Sequence, residues 1–253
     1  MSGRAIKAAK HDRHFKPNGN RSFEFITINK CNWWVRRSDK NTNLMNLIKD
    51  PDIALCGKSL LKDGSSNTVG EKGEHVIKRY NLKKIINLFK DIFRSTKAKR
   101  AFQLGYHLEL VGVATPRVIA LAENRVFGFV LRSYLVVEKI EGATDLSNTN
   151  YDSPEFIRRL AKLIGRMHIE GFTHRDLKTS NVLIDSSGKP YLIDLDGASF
   201  IGKVPARVAV SNLKRLERGL RGKSISSKSN RICFFRHYCY ESGFHPSELK
   251  KSE

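Results

Sequence analysis

His174-Arg175-Asp176-Leu177-Lys178-Thr179-Ser180-Asn181, followed by Tyr191-Leu192-Ile193-Asp194-Leu195-Asp196-Gly197, is the stretch whose reading decides the fold. Polar and charged groups crowd it, and regular elements flank it. Upstream, Asp152-Ser153-Pro154 reads as a cap and first helical turn, because a Ser hydroxyl can satisfy an orphan N–H and proline suits the first turn. Phe156, Leu160, Leu163, Ile164 and Met167 then recur on one helical face, and Gly171 ends the helix. Downstream, Val182-Leu183-Ile184-Asp185, the turn Ser186-Ser187-Gly188-Lys189 and Tyr191-Leu192-Ile193-Asp194 read as a short hairpin. The polar loop therefore sits between a buried helix and a hairpin.

The chemistry that suits this arrangement is phosphoryl transfer from Mg-ATP. A weak hydroxyl nucleophile has to be held in line with the γ-phosphate while metal ions and a cation absorb the charge spread over its oxygens. In kinases the first Asp of such a loop accepts the hydroxyl proton, the Asn five positions on holds a Mg²⁺, and the Asp after the next strand bridges metal to phosphates. Asp176, Asn181 and Asp194 have that order and spacing, and Lys178 is placed to neutralise charge on the moving group. Asp196 is a further carboxylate whose other reading is a turn stabiliser.

The second half of an ATP site is legible upstream. Ser59-Leu60-Leu61-Lys62-Asp63-Gly64-Ser65-Ser66-Asn67-Thr68-Val69 is an apolar run entering a turn of small residues. Small residues let backbone N–H groups approach phosphate oxygens, so Gly64, Ser65, Ser66 and Asn67 are the candidate triphosphate cover. The same residues, taken alone, also fit an ordinary hairpin turn. Glu74-His75-Val76-Ile77-Lys78-Arg79-Tyr80 is strand-like and sets one lysine, Lys78, in an aliphatic context as a point charge for phosphate. Ser133-Tyr134-Leu135-Val136-Val137-Glu138-Lys139-Ile140-Glu141-Gly142 reads as a core strand leading into a connector, where the backbone of Glu138 and Ile140 is expected to meet adenine.

Lys62-Asp63-Gly64-Ser65-Ser66, Val76-Ile77-Lys78-Arg79-Tyr80-Asn81, Lys97-Ala98-Lys99-Arg100-Ala101-Phe102, Gly112-Val113-Ala114-Thr115-Pro116, Val136-Val137-Glu138 and the catalytic loop together resemble the Kdo/WaaP lipopolysaccharide kinase family. The resemblance runs from about Trp34 to about Tyr240 and includes Ser211-Asn212-Leu213-Lys214-Arg215-Leu216. It implies a protein-kinase-like fold, ATP and Mg²⁺ as cofactors, and phosphorylation of a 3-deoxy-manno-octulosonic acid (Kdo) or heptose hydroxyl of the lipopolysaccharide inner core. The chain departs from the wider pattern twice. His174-Arg175-Asp176 is closer to protein kinases than the glycine-containing form expected in many sugar kinases, which keeps a protein acceptor open. The acidic partner of Lys78 falls by register near Ala101; between Lys78 and Glu123 the acidic residues are Asp91 and Glu109. Glu109 shares a helical face with Phe102 and is the better candidate, beside the reading of a surface Glu near a helix end.

The 253 residues carry 46 Lys and Arg against 25 Asp and Glu, a formal net charge of +21. Such an excess calls for a polyanionic partner, although part of any excess is solvated surface. It gathers in Arg4 to Arg21, Lys78 to Lys84, Lys90 to Arg100 and Lys203 to Arg236. Nucleic acid is disfavoured, since no helix-turn-helix, zinc finger or RNP-like aromatic motif accompanies these clusters. An anionic glycolipid acceptor and peripheral contact with an anionic membrane face account for the charge better. Lys83 to Arg94 has apolar residues at helical spacing with basic flanks, suited either to a headgroup layer or to packing on the N-lobe. No apolar stretch approaches the roughly 18 residues of a membrane span, and Met1 to Lys40 lacks the apolar centre of a secretory leader. The expectation is a cytoplasmic chain, peripheral on the inner membrane. Cys31, Cys56, Cys233 and Cys239 lack framework spacing and are expected as reduced thiols. Cys233, His237 and Cys239 fit no standard zinc spacing, and Phe234, Phe235 and Tyr238 beside them point to a helix packed on the core.

The expected architecture is α+β and two-lobed: a basic, partly disordered extension over 1–33, an N-lobe of antiparallel sheet plus helix over 34–140, and a mostly helical C-lobe over 141–253. The absence of an Ala-Pro-Glu motif after Asp194, with a short stretch to Arg207, argues against a phosphorylation-switched activation segment. Two rivals to the sugar kinase remain: a protein or small-molecule kinase of the same superfamily, and a non-catalytic kinase-like scaffold that binds anions. The scaffold should have lost one of Asp176, Asn181 and Asp194, and all three are present.

Overall fold

The computed structural model describes residues 22–29, 31–81, 95–126, 129–149 and 151–252. The chain divides into two compact units, one of residues 22–106 with 117–139 and the other of 107–116 with 140–252.

The first unit is built on a seven-stranded sheet. Its elements in chain order are β1 (Phe23–Ile28), β2 (Cys31–Arg36), α1 (Thr42–Lys49), β3 (Leu60–Asp63), β4 (Asn67–Lys72), β5 (His75–Tyr80), α2 (Lys97–Leu110), β6 (Val118–Val126) and β7 (Phe129–Glu138). The strand order is β1-β2-β6-β7-β5-β4-β3, with antiparallel neighbours throughout. Alternation along β2 sends Trp33 and Val35 to one face and Trp34 to the other, and all three are buried because the sheet is covered on both sides. On one face α1 buries Leu44, Leu47 and Ile48 into a cluster with Trp33, Val35, Ile77, Tyr134 and Val136. Each such side chain contributes about 1.5–3 kcal/mol. Asn41 starts α1, its Oδ1 accepting the Leu44 N–H at 2.8 Å. On the other face Phe102 and Tyr106 of α2 meet Phe23 edge-on at 4.9 and 5.2 Å between centroids. The sequence reading began the N-lobe at residue 34, whereas β1 and the first half of β2 precede that point.

The second unit holds β8 (Thr144–Asp145), α3 (Pro154–Ile169), β9 (Phe172–His174), β10 (Val182–Ile184), β11 (Pro190–Leu192), β12 (Ala198–Phe200), α4 (Ala206–Leu220), α5 (Lys228–Ser242) and α6 (Pro246–Lys250). The Ser153 hydroxyl accepts the Phe156 N–H at 3.2 Å and so caps α3. β10 and β11 form the expected hairpin in the register Val182↔Leu192. α3 and α5 approach so closely at Gly165 that a Cβ there would lie 2.7 Å from Glu241 Cβ. β9 and β12 pair His174 with Ala198, which brings the chain after Asp194 back alongside the chain before Asp176. No helix among the described residues is long and apolar enough to cross a membrane. The basic tail Met1 to Arg21 and the amphipathic stretch Lys83 to Arg94 lie outside the described residues.

Candidate active site

The loop between β9 and β10 brings Asp176, Lys178 and Asn181 together. Asn181 Nδ2 donates to the Asp176 carbonyl at 2.8 Å and to its carboxylate Oδ2 at 3.2 Å. Lys178 Nζ lies 2.9 Å from the same Oδ2. The Lys178 and Asp176 side chains are half exposed, so their ion pair adds little to stability. Its effect is orientational: two donors on Oδ2 fix the plane of the carboxylate.

The backbone of this loop hangs on buried side chains. His174 is fully buried, and burial holds its basicity below the usual imidazole value. Its Nδ1 accepts the Asp176 N–H at 3.2 Å, which assigns the proton to Nε2, 3.4 Å from the Ile193 carbonyl. One neutral ring thus spans the Asp176 loop and the strand leading to Asp194. Behind it, Asn212 Oδ1 on α4 accepts from the His174 N–H and the Thr173 hydroxyl, each at 2.9 Å. His168 Nε2 lies 3.3 Å from the same oxygen, and its Nδ1 is 2.7 Å from the Tyr238 hydroxyl. Burial pushes the His168 pKa down to about 4 and the Tyr238 pKa up, so both stay neutral near neutral pH.

Asp194 sits just beyond β11 in the left-handed region, at φ 54° and ψ 57°. The Ile193 N–H donates to the Asn181 carbonyl at 3.0 Å, so the two expected metal ligands are neighbours through one backbone bond. Asn181 commits Nδ2 to Asp176, which turns its Oδ1, an oxygen donor, away from that residue. An amide oxygen and a carboxylate are the hard donors Mg²⁺ uses when phosphates and waters complete its shell. Gly197 closes the arrangement: its carbonyl accepts the Arg175 N–H at 2.8 Å. A Cβ there would lie 3.2 Å from Asp176 N and 3.3 Å from Asp176 Cβ. Asn212, His168 and Gly197 carry this geometry and were not singled out for it from the sequence. Only the spacing of Gly197 from Asp194 was a local signal.

In the first unit Gly64, Ser65 and Ser66 form the turn between β3 and β4, and Asn67 opens β4. The Gly64 N–H donates to the Asn67 carbonyl at 3.0 Å, closing the turn. Asn81, just past β5, ties it down: its Nδ2 donates to the Gly64 carbonyl at 2.8 Å, and its N–H to the Ser66 carbonyl at 3.1 Å. Lys78 pairs with Val69 and Leu135 in the sheet, and its ammonium lies 5.0 Å from the Tyr80 ring centroid. Glu138 ends β7, its N–H donated to the Arg117 carbonyl at 3.0 Å. Ile140 follows in the connector and accepts the Ala143 N–H at 3.3 Å. Ala101, the register position expected for an acidic partner of Lys78, is buried on α2, and Glu109 lies in the last turn of that helix. Sequence reasoning passed over Glu123, a buried carboxylate on the sheet face shared with Leu135 and Trp34. It accepts the Thr96 hydroxyl at 2.6 Å, which fastens the start of α2, and lies 3.4 Å from Arg125.

Comparison with known proteins matches residues 62–238 to the model of the lipopolysaccharide kinase (Kdo/WaaP) family. A 3-deoxy-D-manno-octulosonic acid kinase of Vibrio cholerae is 33% identical over 129 residues, covering 50% of this chain and 54% of the relative. One from Xylella fastidiosa is 30% identical over 49% of this chain and 50% of its own length. The chain therefore spans about half the length of the curated relatives it matches. Among solved structures, WaaP in complex with acyl carrier protein superposes with a TM-score of 0.58 at 18% identity, covering 90% of this chain and 91% of that one. The fold is accordingly the protein-kinase-like α+β fold, with an antiparallel sheet and helix in one unit and a mostly helical second unit.

Proposed function

The chain belongs to the lipopolysaccharide kinase (Kdo/WaaP) family, and we propose that it transfers the γ-phosphate of ATP to a sugar hydroxyl of the lipopolysaccharide inner core, with Kdo favoured over heptose. The observation that carries this reading is the Asp176 carboxylate, gripped at Oδ2 by Lys178 and Asn181 and hung from the buried His174 and Asn212. The preference for Kdo rests on the relatives named as Kdo kinases.

Asp176 Oδ1, the oxygen not gripped, takes the proton of the acceptor hydroxyl and aims it at the phosphorus. Lys178, half exposed beside it, neutralises charge on the moving phosphoryl group. Asn181 Oδ1 and the Asp194 carboxylate would hold Mg²⁺, which supplies charge neutralisation to the phosphate oxygens when bound. Gly64, Ser65, Ser66 and Asn67 cover the triphosphate, Lys78 holds it by charge, and the backbone of Glu138 and Ile140 contacts adenine. The basic excess draws the chain to an anionic glycolipid at the cytoplasmic face of the inner membrane. The deciding experiment supplies radiolabelled ATP and Mg²⁺ with a Kdo-bearing lipid precursor, a heptose-bearing core, a generic protein acceptor or water. Label should enter the Kdo-bearing lipid. Label found in polypeptide and never in core sugar would replace this reading with a protein kinase, and label in no acceptor with a scaffold.

A further inference from the structure

Besides the phosphotransfer loop, the second unit carries an open groove of about 1010 Å³, at the upper end of the roughly 300–1,000 Å³ of small-molecule sites. Its floor is aliphatic and aromatic, from Leu160 on α3, Val210, Leu213 and Leu216 on α4, Phe235 on α5 and Leu249 on α6. Its rim is basic, with Lys228, Arg231, Arg236 and Lys250 against the lone carboxylate of Glu217, which Arg231 already pairs at 2.5 Å. None of Asp176, Lys178, Asn181 and Asp194 lines it.

The groove explains a feature of α5 that packing alone does not. One side of the helix, at Tyr238, Glu241 and Ser242, meets α3 at Gly165. The side carrying Ile232, Phe235 and Cys239 lines the groove instead, and Ile232 is left 60% exposed. That side is apolar, and an apolar helix face needs a partner of its own beside the one α3 gives the other side. Here the second partner must be apolar in body to match the floor and anionic at one end to match the rim. We propose that the groove binds an acyl chain of an anionic membrane lipid, the chain lying along Leu213, Ile232 and Phe235 and the headgroup meeting Arg236 and Lys250. Apolar burial and attraction of the headgroup reinforce each other in such a site, whereas neither a neutral amphiphile nor a bare anion gains both. The same site would hold the chain at a bilayer without a membrane-spanning helix. The inference stands apart from the phosphotransfer reading, since binding is its readout.

The test titrates the full chain with decyl phosphate below its micelle concentration, beside inorganic phosphate and decyl maltoside, and measures co-sedimentation with phosphatidylglycerol or phosphatidylcholine vesicles. Decyl phosphate should bind roughly tenfold or more tighter than either control, a difference of about 1.4 kcal/mol. Ile232→Glu should weaken both decyl phosphate and phosphatidylglycerol-vesicle binding roughly tenfold. Its thermal melt should be unchanged, since the side chain is mostly exposed. Arg236→Glu should remove the preference for decyl phosphate over decyl maltoside. Equal binding of decyl maltoside, or vesicle binding untouched by Ile232→Glu, would overturn the proposal in favour of non-selective apolar contact or surface charge. A concentration-dependent dimer that Ile232→Glu dissociates, with no lipid binding, would overturn it by placing a second copy of the chain in the groove.

Discussion

The two loops that carry the proposed chemistry are anchored differently. The Asp176 loop is suspended from groups with almost no exposure, His174 and Asn212, whose hydrogen bonds fix its backbone from beneath. The Gly64 turn is held from the side by one half-buried amide, Asn81, at the end of a neighbouring strand. A buried polar group left without its partner costs far more than an exposed one, so the first loop has one arrangement and the second can yield. Proton transfer needs the rigid kind of support. Covering a phosphate that enters and leaves needs the yielding kind.

The contrast can be broken most severely at the base. Asp176→Ala should lower turnover by roughly the 10²–10⁴ of general-base removal while ATP binding persists, which single-turnover kinetics with equilibrium nucleotide titration would show. Near-normal turnover would take Asp176 out of the mechanism. Acid should break the buried anchor next. The unfolded chain protonates an imidazole near pH 6.5, but buried His168 resists until about pH 4. The unfolded state therefore binds more protons between those values, and stability present above pH 6.5 is lost as pH falls toward 4. At about 1.4 kcal/mol per pH unit the loss is on the order of 3 kcal/mol. Urea melts at stepped pH would measure it, and His168→Gln should flatten the dependence.

Smaller effects sharpen the comparison. Asn212→Ala strands the His174 N–H and the Thr173 hydroxyl, at about 1–3 kcal/mol for each buried group left unpaired. Turnover should fall with little change in KM for ATP, and Asn212→Asp, which keeps the acceptor oxygen, should restore part of it. Asn81→Ala should cost only about 1 kcal/mol in a denaturant melt, because its site is half-buried. Its signature should be the reverse, a raised KM for ATP with turnover nearly kept. If both variants move the same kinetic constant, the division of labour between the loops is wrong.

The sequence displayed the parts whose meaning is local. Ser153-Pro154 capped a helix, and Val182 to Leu192 folded back as the expected hairpin, because each depends on residues a few positions apart. Asp176, Lys178 and Asn181 met for the same reason. Asn212 serves His174 from thirty-eight positions away, and Glu123 serves Thr96 from twenty-seven, so no window of periodicity contains either pair. β1 was folded into an expected basic extension because the charge upstream of it dominates the composition there. The turn at Gly64 was legible as a turn, but its fastening to Asn81 needed the β4–β5 register.

Asp194 occupies a backbone region that costs most side chains about 1–2 kcal/mol and that asparagine and aspartate tolerate best. This decides which replacements there can be interpreted. Alanine would delete a charge and at the same time press the backbone out of its left-handed turn, confounding two causes in one phenotype. Asparagine keeps the shape and removes only the charge, so Asp194→Asn is the substitution that isolates electrostatics at this position. A raised Mg²⁺ requirement in that variant, with an unchanged melt, reports the carboxylate alone.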